Sequence, residues 1–124
     1  MNITLVLGYV NAYIIKLMRD LALFFAALSD QTRLRLLSLI KGREVCVCHL
    51  QAVLGTNQPK ISRHLAYLKR AGLVAGRRDG KWTHYRLAKL NNERKEILRQ
   101  TLARLARERQ VMKDSKRLRN ANCG

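Results

Sequence analysis

Two of the chain's three cysteines stand one residue apart, in Cys46-Val47-Cys48, and the third is Cys123. Thiolates are soft donors, and a pair this close begins a site for a soft metal or metalloid. Just beyond the pair lies Gln58-Pro59-Lys60-Ile61-Ser62-Arg63-His64-Leu65, whose polar and basic residues suit contact with DNA. A soft-ion site and a nucleic-acid reader therefore share one short stretch. The competing reading is that cysteine serves here as a small buried hydrophobe. Spacing argues against it: positions i and i+2 of a helix lie about 200° apart, so both side chains cannot occupy one core stripe. The same geometry predicts that, on a helix from Glu44 to Leu54, one atom can bind both sulfurs only by distorting the helix.

The elements that must position these residues read as helices with one hairpin. Leu21, Phe24, Phe25 and Leu28 recur at helical spacing and predict one buried stripe, closed or reopened by Ser29-Asp30. Thr32 to Ile40 forms a second helix through Leu34, Leu36, Leu37 and Ile40, stopped by Gly42. Glu44 to Leu54 forms a third, with Val47, Leu50, Val53 and Leu54 inward, and Gly55 supplies the turn. Thr56 or Asn57 caps a fourth, in which Pro59 takes an early position and Ile61, Leu65 and Leu68 are buried. Two helices joined by a short glycine turn make a helix-turn-helix. Its outward set is Gln58, Lys60, Ser62, Arg63, Tyr67, Lys69 and Arg70, with His64 on the flank. Gln suits adenine, Ser either partner, and Arg or Lys guanine or phosphate.

Asp79-Gly80 then joins two strand-like runs into a hairpin wing, whose tip residues Arg77, Arg78 and Lys81 are expected to meet backbone or minor groove. Trp82 is read as a packing residue. Ile97, Leu98, Thr101, Leu102 and Leu105 continue at helical spacing, and this helix with Leu21 to Leu28 is expected to form a two-fold dimer. The fold class is thus mainly α with a small β-hairpin wing, a winged helix-turn-helix, homodimeric. Residues 18–112 are expected to form that domain, and residues 113–124 a basic mobile tail carrying Cys123.

Composition bounds the partners. There are 124 residues, enough for one core, with 25 Lys plus Arg against 8 Asp plus Glu and a net charge of +17, which favours a polyanion such as double-stranded DNA. An odd, sparse cysteine set is not the disulfide framework of a small secreted domain, so a reducing cytoplasm is expected. Ile3 to Ile15 is apolar but is interrupted by Gly8 and Asn11 and is too short to span a bilayer, so no membrane partner is expected. Residues 1–17 leave two readings open: translation begins at Met18 and the extension is not made, or it forms an extra helix at a dimer interface. No Ser-His-Asp set, paired acids or phosphate loop points to an enzyme, and no organic cofactor is called for.

Over roughly Asp20 to Arg107 the chain resembles the ArsR/SmtB family of winged helix-turn-helix metal-responsive repressors. The resemblance rests on Ala27-Leu28-Ser29-Asp30-Gln31-Thr32-Arg33-Leu34-Arg35-Leu36-Leu37, Glu44-Val45-Cys46-Val47-Cys48-His49-Leu50, Gln58 to Leu65, and Ala71-Gly72-Leu73-Val74. It implies a homodimer that binds operator DNA and releases it when As(III) or Sb(III), the inducer, occupies the Cys-Val-Cys segment, the mark of the arsenic branch and of some cadmium or lead sensors. Where that branch often has a further Cys, this chain has Gln51. Trivalent arsenic prefers three sulfurs, so Cys123 is proposed as the third ligand beside Cys46 and Cys48. The alternative is an incidental thiol, with a small thiol or water in the third place.

Cadmium-type relatives draw extra Cys from an N-terminal arm, and residues 1–45 contain none. Zinc-type relatives carry Asp and His on the last helix, and Asn91 to Lys113 contains neither. Two alternatives remain beside the arsenic reading, a cadmium- or lead-responsive repressor of the same fold and a non-switching basic nucleic-acid-binding protein. His49 is read as a surface residue and His64 as a packing or phosphate-contacting one.

Overall fold

The computed structural model describes residues 2–123. Six helices and three short strands follow in the order α1 (Ile3–Leu28), α2 (Gln31–Ile40), β1 (Val45–Cys46), α3 (Val47–Leu54), α4 (Gln58–Arg70), β2 (Val74–Asp79), β3 (Trp82–Leu87), α5 (Asn92–Leu105) and α6 (Arg109–Arg119). The architecture is a winged helix-turn-helix. Leu36, Leu37, Ile40, Leu50, Ile61, Leu65, Leu68 and Leu73 are fully buried and tie α2, α3 and α4 into one core, closed by Phe24 from α1 and by Leu98 and Leu102 from α5.

Local chemistry sets the helix starts. The Asp30 carboxylate accepts from the Arg33 backbone N–H at 3.0 Å, the Asn57 amide oxygen from Lys60 N–H at 3.0 Å, and Asn91 from Arg94 N–H at 2.9 Å. Each satisfies an amide that the first helical turn leaves unpaired. Between α3 and α4, Gly55 takes φ 64°, a left-handed turn that a side chain would strain.

Three expected boundaries move. The helix predicted from Glu44 begins at Val47, because Val45 and Cys46 pair antiparallel with β3, in register with Tyr85 and His84. Val45 and Cys46 are both buried in β1, and Val47, also buried, opens α3. The sheet is therefore three-stranded, β1-β3-β2. The hairpin loop is Gly80-Lys81 rather than Asp79-Gly80, since Asp79 pairs with Trp82. Gly80 has φ 61° and, among the described residues, no non-glycine residue has positive φ, which fits a turn with glycine first rather than two left-handed positions. Trp82 is 37% exposed at this tip, with the Lys81 ammonium 5.2 Å from its ring centre, so it is not a core packing residue.

The third change concerns the tail. Residues 113–119 belong to α6, so the expected break after residue 112 falls inside a helix. Asp114 is 1% exposed, and its carboxylate accepts two hydrogen bonds from Arg35 at 2.8 and 2.9 Å and one from Gln110 at 2.9 Å. Leu118 of α6 and Ala121 just beyond it also pack against the core. A buried carboxylate is tolerated only when so paired, and here the pairing docks the segment.

Helix α1 runs through Met18 without a break. Its residues Ile3, Leu7, Val10, Ile14, Leu17, Leu21, Phe24 and Leu28 alternate spacings of four and three, the repeat of a helix-pairing seam. Phe24 is buried and Leu28 half-buried in the domain, whereas the other six, Ile3 to Leu21, are exposed. Leu21 and Phe25, expected in the buried stripe, are exposed too. Among the described residues no helix is long and apolar enough to cross a membrane.

Candidate metal centre and nucleic-acid interface

Cys46 occupies the cap before α3, with extended backbone (φ −66°, ψ 140°), while Cys48 lies in the first helical turn. Because Cys46 stands outside the helix, the angular rule that separates residues i and i+2 does not apply to it. The two sulfurs lie 3.2 Å apart. The expectation that one atom could reach both only by distorting the helix is thus corrected: the strand-to-helix junction already brings them together. Cys46 is 7% exposed and carries a free thiol; Cys48 is half-buried.

Cys123 follows α6 and arrives at the same point. Its sulfur is joined to that of Cys48 as a disulfide, with the Cα atoms 6.0 Å apart, and the pairing is made within one chain. The docking of α6 by Arg35 and Asp114 delivers it there, so the segment before Cys123 is held rather than free. His49, set aside in the sequence as a surface residue, is half-buried at this point, and its ring nitrogen and the sulfurs of Cys48 and Cys123 all lie within 4.8 Å of one another. The available signal was its adjacency to Cys48. Arg43, Glu44, Cys46, His49, His84 and Leu118 line one open cleft beside the sulfurs. Reduction of the disulfide leaves Cys48 and Cys123 as thiols beside the His49 imidazole, with Cys46 next to Cys48, a donor set suited to a thiophilic ion.

The helix-turn-helix presents a second surface. Gln58, Lys60, Ser62 and Arg63 are exposed on α4, opposite buried Ile61, Leu65 and Leu68. Tyr67 and His64 are half-buried and engaged with the protein. The Arg33 guanidinium lies 4.1 Å from the Tyr67 ring centre, approaches His64 Nδ1 at 3.4 Å, and donates to the Ala27 and Ala26 carbonyls at 2.8 and 3.0 Å. One arginine thereby ties the end of α1 to the flank of α4. On the wing, Arg78 donates to the Gly80 carbonyl at 3.1 Å. Arg77 is occupied by Glu44 at 2.6 and 3.0 Å, an exposed pair whose hydrogen bonding lowers the Glu44 pKa and raises that of Arg77. Sequence reasoning missed Glu44, which becomes a neighbour of the wing only through the β1–β3 pairing.

Residues 30–75 match the family described as bacterial regulatory protein, arsR family. The chain is 51% identical over 65 residues to the arsenical resistance operon repressor of Escherichia coli K12, covering 52% of this chain and 56% of that protein. The chain thus spans little more than half the length of that relative. It is 40% identical over 76 residues to an HTH-type transcriptional regulator of Methanocaldococcus jannaschii, covering 60% of this chain and 83% of that one. Among solved structures it resembles the homodimeric winged helix-turn-helix DNA-binding domain of a possible ArsR-family transcriptional regulator from Mycobacterium bovis, at 31% identity and a TM-score of 0.62, over 76% of this chain and 89% of that one.

Proposed function

Because the chain belongs to the ArsR family of bacterial regulatory proteins, we propose that it is a transcriptional repressor that binds operator DNA as a homodimer and releases it when As(III) or Sb(III) binds Cys46, Cys48 and Cys123. One observation carries this reading: the Cys46 and Cys48 sulfurs are 3.2 Å apart at the start of the helix that packs on α4, and Cys123 meets Cys48 there. Trivalent arsenic takes three sulfurs in a pyramid, and three is the number the reduced site offers.

The coupling follows from where the sulfurs are anchored. Cys46 belongs to β1, which pairs with the wing strand β3; Cys48 lies in the first turn of α3, the first helix of the helix-turn-helix; Cys123 hangs from α6. An ion bound to all three fixes the wing, the DNA-reading unit and the last helix relative to one another. Arg117 of α6 also donates to the Val53 carbonyl at 3.4 Å, near the turn that leads into α4. Ion binding selects one arrangement of these parts, and release requires that arrangement to disfavour DNA. Moving the protein from almost fully bound to almost fully free takes about 5.5 kcal/mol of differential affinity, within reach of three metalloid–thiolate bonds.

On the DNA side, Gln58, Lys60, Ser62 and Arg63 read and clamp the major groove, while Arg78 and Lys81 of the wing contact backbone. The protein acts in the cytoplasm, where the thiols are kept reduced. It carries out no catalysis; its chemistry is reversible ligation.

The test is arsenite-dependent release of the reduced protein from upstream DNA, followed by fluorescence anisotropy. Cys46→Ser and Cys48→Ser are expected to keep operator binding and lose release, and Cys123→Ser to need more arsenite. Release that survives in both of the first two variants would overturn the sensor reading.

A further inference from the structure

The three-sulfur reading leaves one converging donor unused. His49 is half-buried, and its ring nitrogen falls within 4.8 Å of both the Cys48 and Cys123 sulfurs. An As(III) centre has no place for it, since three sulfurs and a lone pair complete its coordination. A tetrahedral divalent ion has a place for it. Thiolate bonds of about 2.3 Å and an imidazole bond of about 2.0 Å put neighbouring donors of a tetrahedron roughly 3.5–3.8 Å apart. Cys46 and Cys48, at 3.2 Å, must open by about half an ångström to reach that spacing, reduced Cys48 and Cys123 must part from bonding distance to it, and the His49 nitrogen, within 4.8 Å of both, must close by no more than about 1.3 Å.

We propose that His49 is the fourth ligand of a second binding mode at this site, in which reduced Cys46, Cys48 and Cys123 and the His49 imidazole hold a tetrahedral zinc or cadmium ion. The inference rests on the same three sulfurs as the arsenic reading and adds a residue that separates the two classes of ion. His49 acts as a specificity determinant, indifferent to pyramidal As(III) and required by a four-coordinate cation.

The steps balance simply. A dithiol reductant passes two electrons and two protons to the Cys48–Cys123 disulfide, becoming a disulfide itself, and frees both thiols. Binding of the dication then releases three thiol protons to solvent, while neutral imidazole donates its lone pair. The bound centre carries one net negative charge, and Arg43 lies in the same cleft. Location also favours the fourth donor: Cys46, Cys48 and His49 come from the cap and first turn of one helix, so three of the four ligands are placed before the ion arrives.

The experiment uses the reduced full-length chain with Co(II) as a spectroscopic probe, Zn(II) and Cd(II) as competitors, and As(III) titrated separately. Co(II) is expected to give the intense d–d bands of a tetrahedral ion with thiolate charge transfer. His49→Ala is expected to lower Zn(II) affinity at least about tenfold, the loss that even an outer-shell partner produces, while As(III) affinity changes by less than about twofold. In the unmutated protein loaded with NMR-active cadmium, coupling from the metal to a His49 ring nitrogen is expected, a readout that does not depend on how the variant folds. Unchanged Zn(II) affinity in His49→Ala, or absence of that coupling, overturns the proposal. Failure of As(III) to bind while the tetrahedral Co(II) spectrum forms would instead overturn the arsenic reading and leave this site standing.

Discussion

Arg35 of α2 and Asp114 of α6 meet through two parallel hydrogen bonds of 2.8 and 2.9 Å, with the carboxylate buried and the arginine side chain 25% exposed. Its hydrogen bond to Asp114 raises the Arg35 pKa. The pair is the anchor that sets where Cys123 can reach. Removing one member of a buried pair costs about 3–5 kcal/mol, and because Arg35 can turn to water the lower end is expected for Asp114→Ala. The measurement is the urea midpoint, with the slope unchanged. The same variant is expected to bind As(III) several-fold more weakly, through looser delivery of Cys123, and Asp114→Asn to recover part of both losses. An unchanged arsenic affinity in a destabilised Asp114→Ala would show that α6 does not position the tail thiol.

Glu44 holds Arg77 on the wing, and this leads to a DNA prediction of opposite sign from the usual one. The Glu44 pKa is lowered, chiefly by the hydrogen bond from Arg77. A depressed carboxyl contributes its pairing above its unfolded pKa and loses it as pH falls through the folded value, so the tie is intact at neutral pH. Glu44→Gln is therefore expected to free the Arg77 guanidinium, to tighten binding to random DNA and to steepen its salt slope by about one. Arg78→Ala, which removes a wing cation outright, is expected to weaken all DNA about equally and to flatten the slope by about one. Equal slopes for Glu44→Gln and the unmutated protein would mean that Arg77 does not reach DNA.

The helix-turn-helix was legible in the sequence because its signals are local. The buried spacing of Ile61, Leu65 and Leu68, the early Pro59, the Asn57 cap and the Gly55 turn all lie within a few residues of what they determine. What escaped depends on partners distant in sequence. Cys46 sits on a strand because Tyr85 and His84 lie across from Val45 and Cys46. On its own the run Val45-Cys46-Val47 reads as easily as helix. Helix α6 escaped because one position of its inward face is Asp114, which counts as polar until Arg35 is placed opposite. The lone acid in a basic segment was the available clue. His49 escaped since adjacency in sequence does not say which way a first-turn side chain faces.

The exposed seam on α1 gives a prediction about assembly. Ile3, Leu7, Val10, Ile14, Leu17 and Leu21 continue the repeat that Phe24 and Leu28 use within the domain, yet all six lie open in the single chain. A second copy of the same helix would cover them, extending the expected homodimer along α1. Each such side chain, fully covered, is worth about 1.5–3 kcal/mol. Val10→Glu with Ile14→Glu is expected to raise the dimer dissociation constant by at least about tenfold in sedimentation equilibrium, with the helix content of the folded domain retained. An unaltered constant would place the dimer contact elsewhere on the chain.

The Cys48–Cys123 bond would make the proposed arsenic response conditional on reduction. Two of the three proposed donors are consumed by it, leaving Cys46 as the free thiol. One thiol cannot form the three-sulfur pyramid, so the oxidised protein is expected to show no arsenite-dependent release at concentrations that empty the operator of the reduced protein. A thiol-reactive dye should count one accessible or denaturant-exposed thiol per chain before reduction and three after it, and a dithiol should restore the arsenite response in step with that count. Cys123→Ser cannot make this bond. If the bond is what blocks the response, mild oxidation that leaves Cys46 and Cys48 as thiols should not diminish the weaker response of that variant. Loss of the variant's response under those conditions, with both thiols still counted, would mean that oxidation acts on the DNA-binding surface rather than on the ligand set.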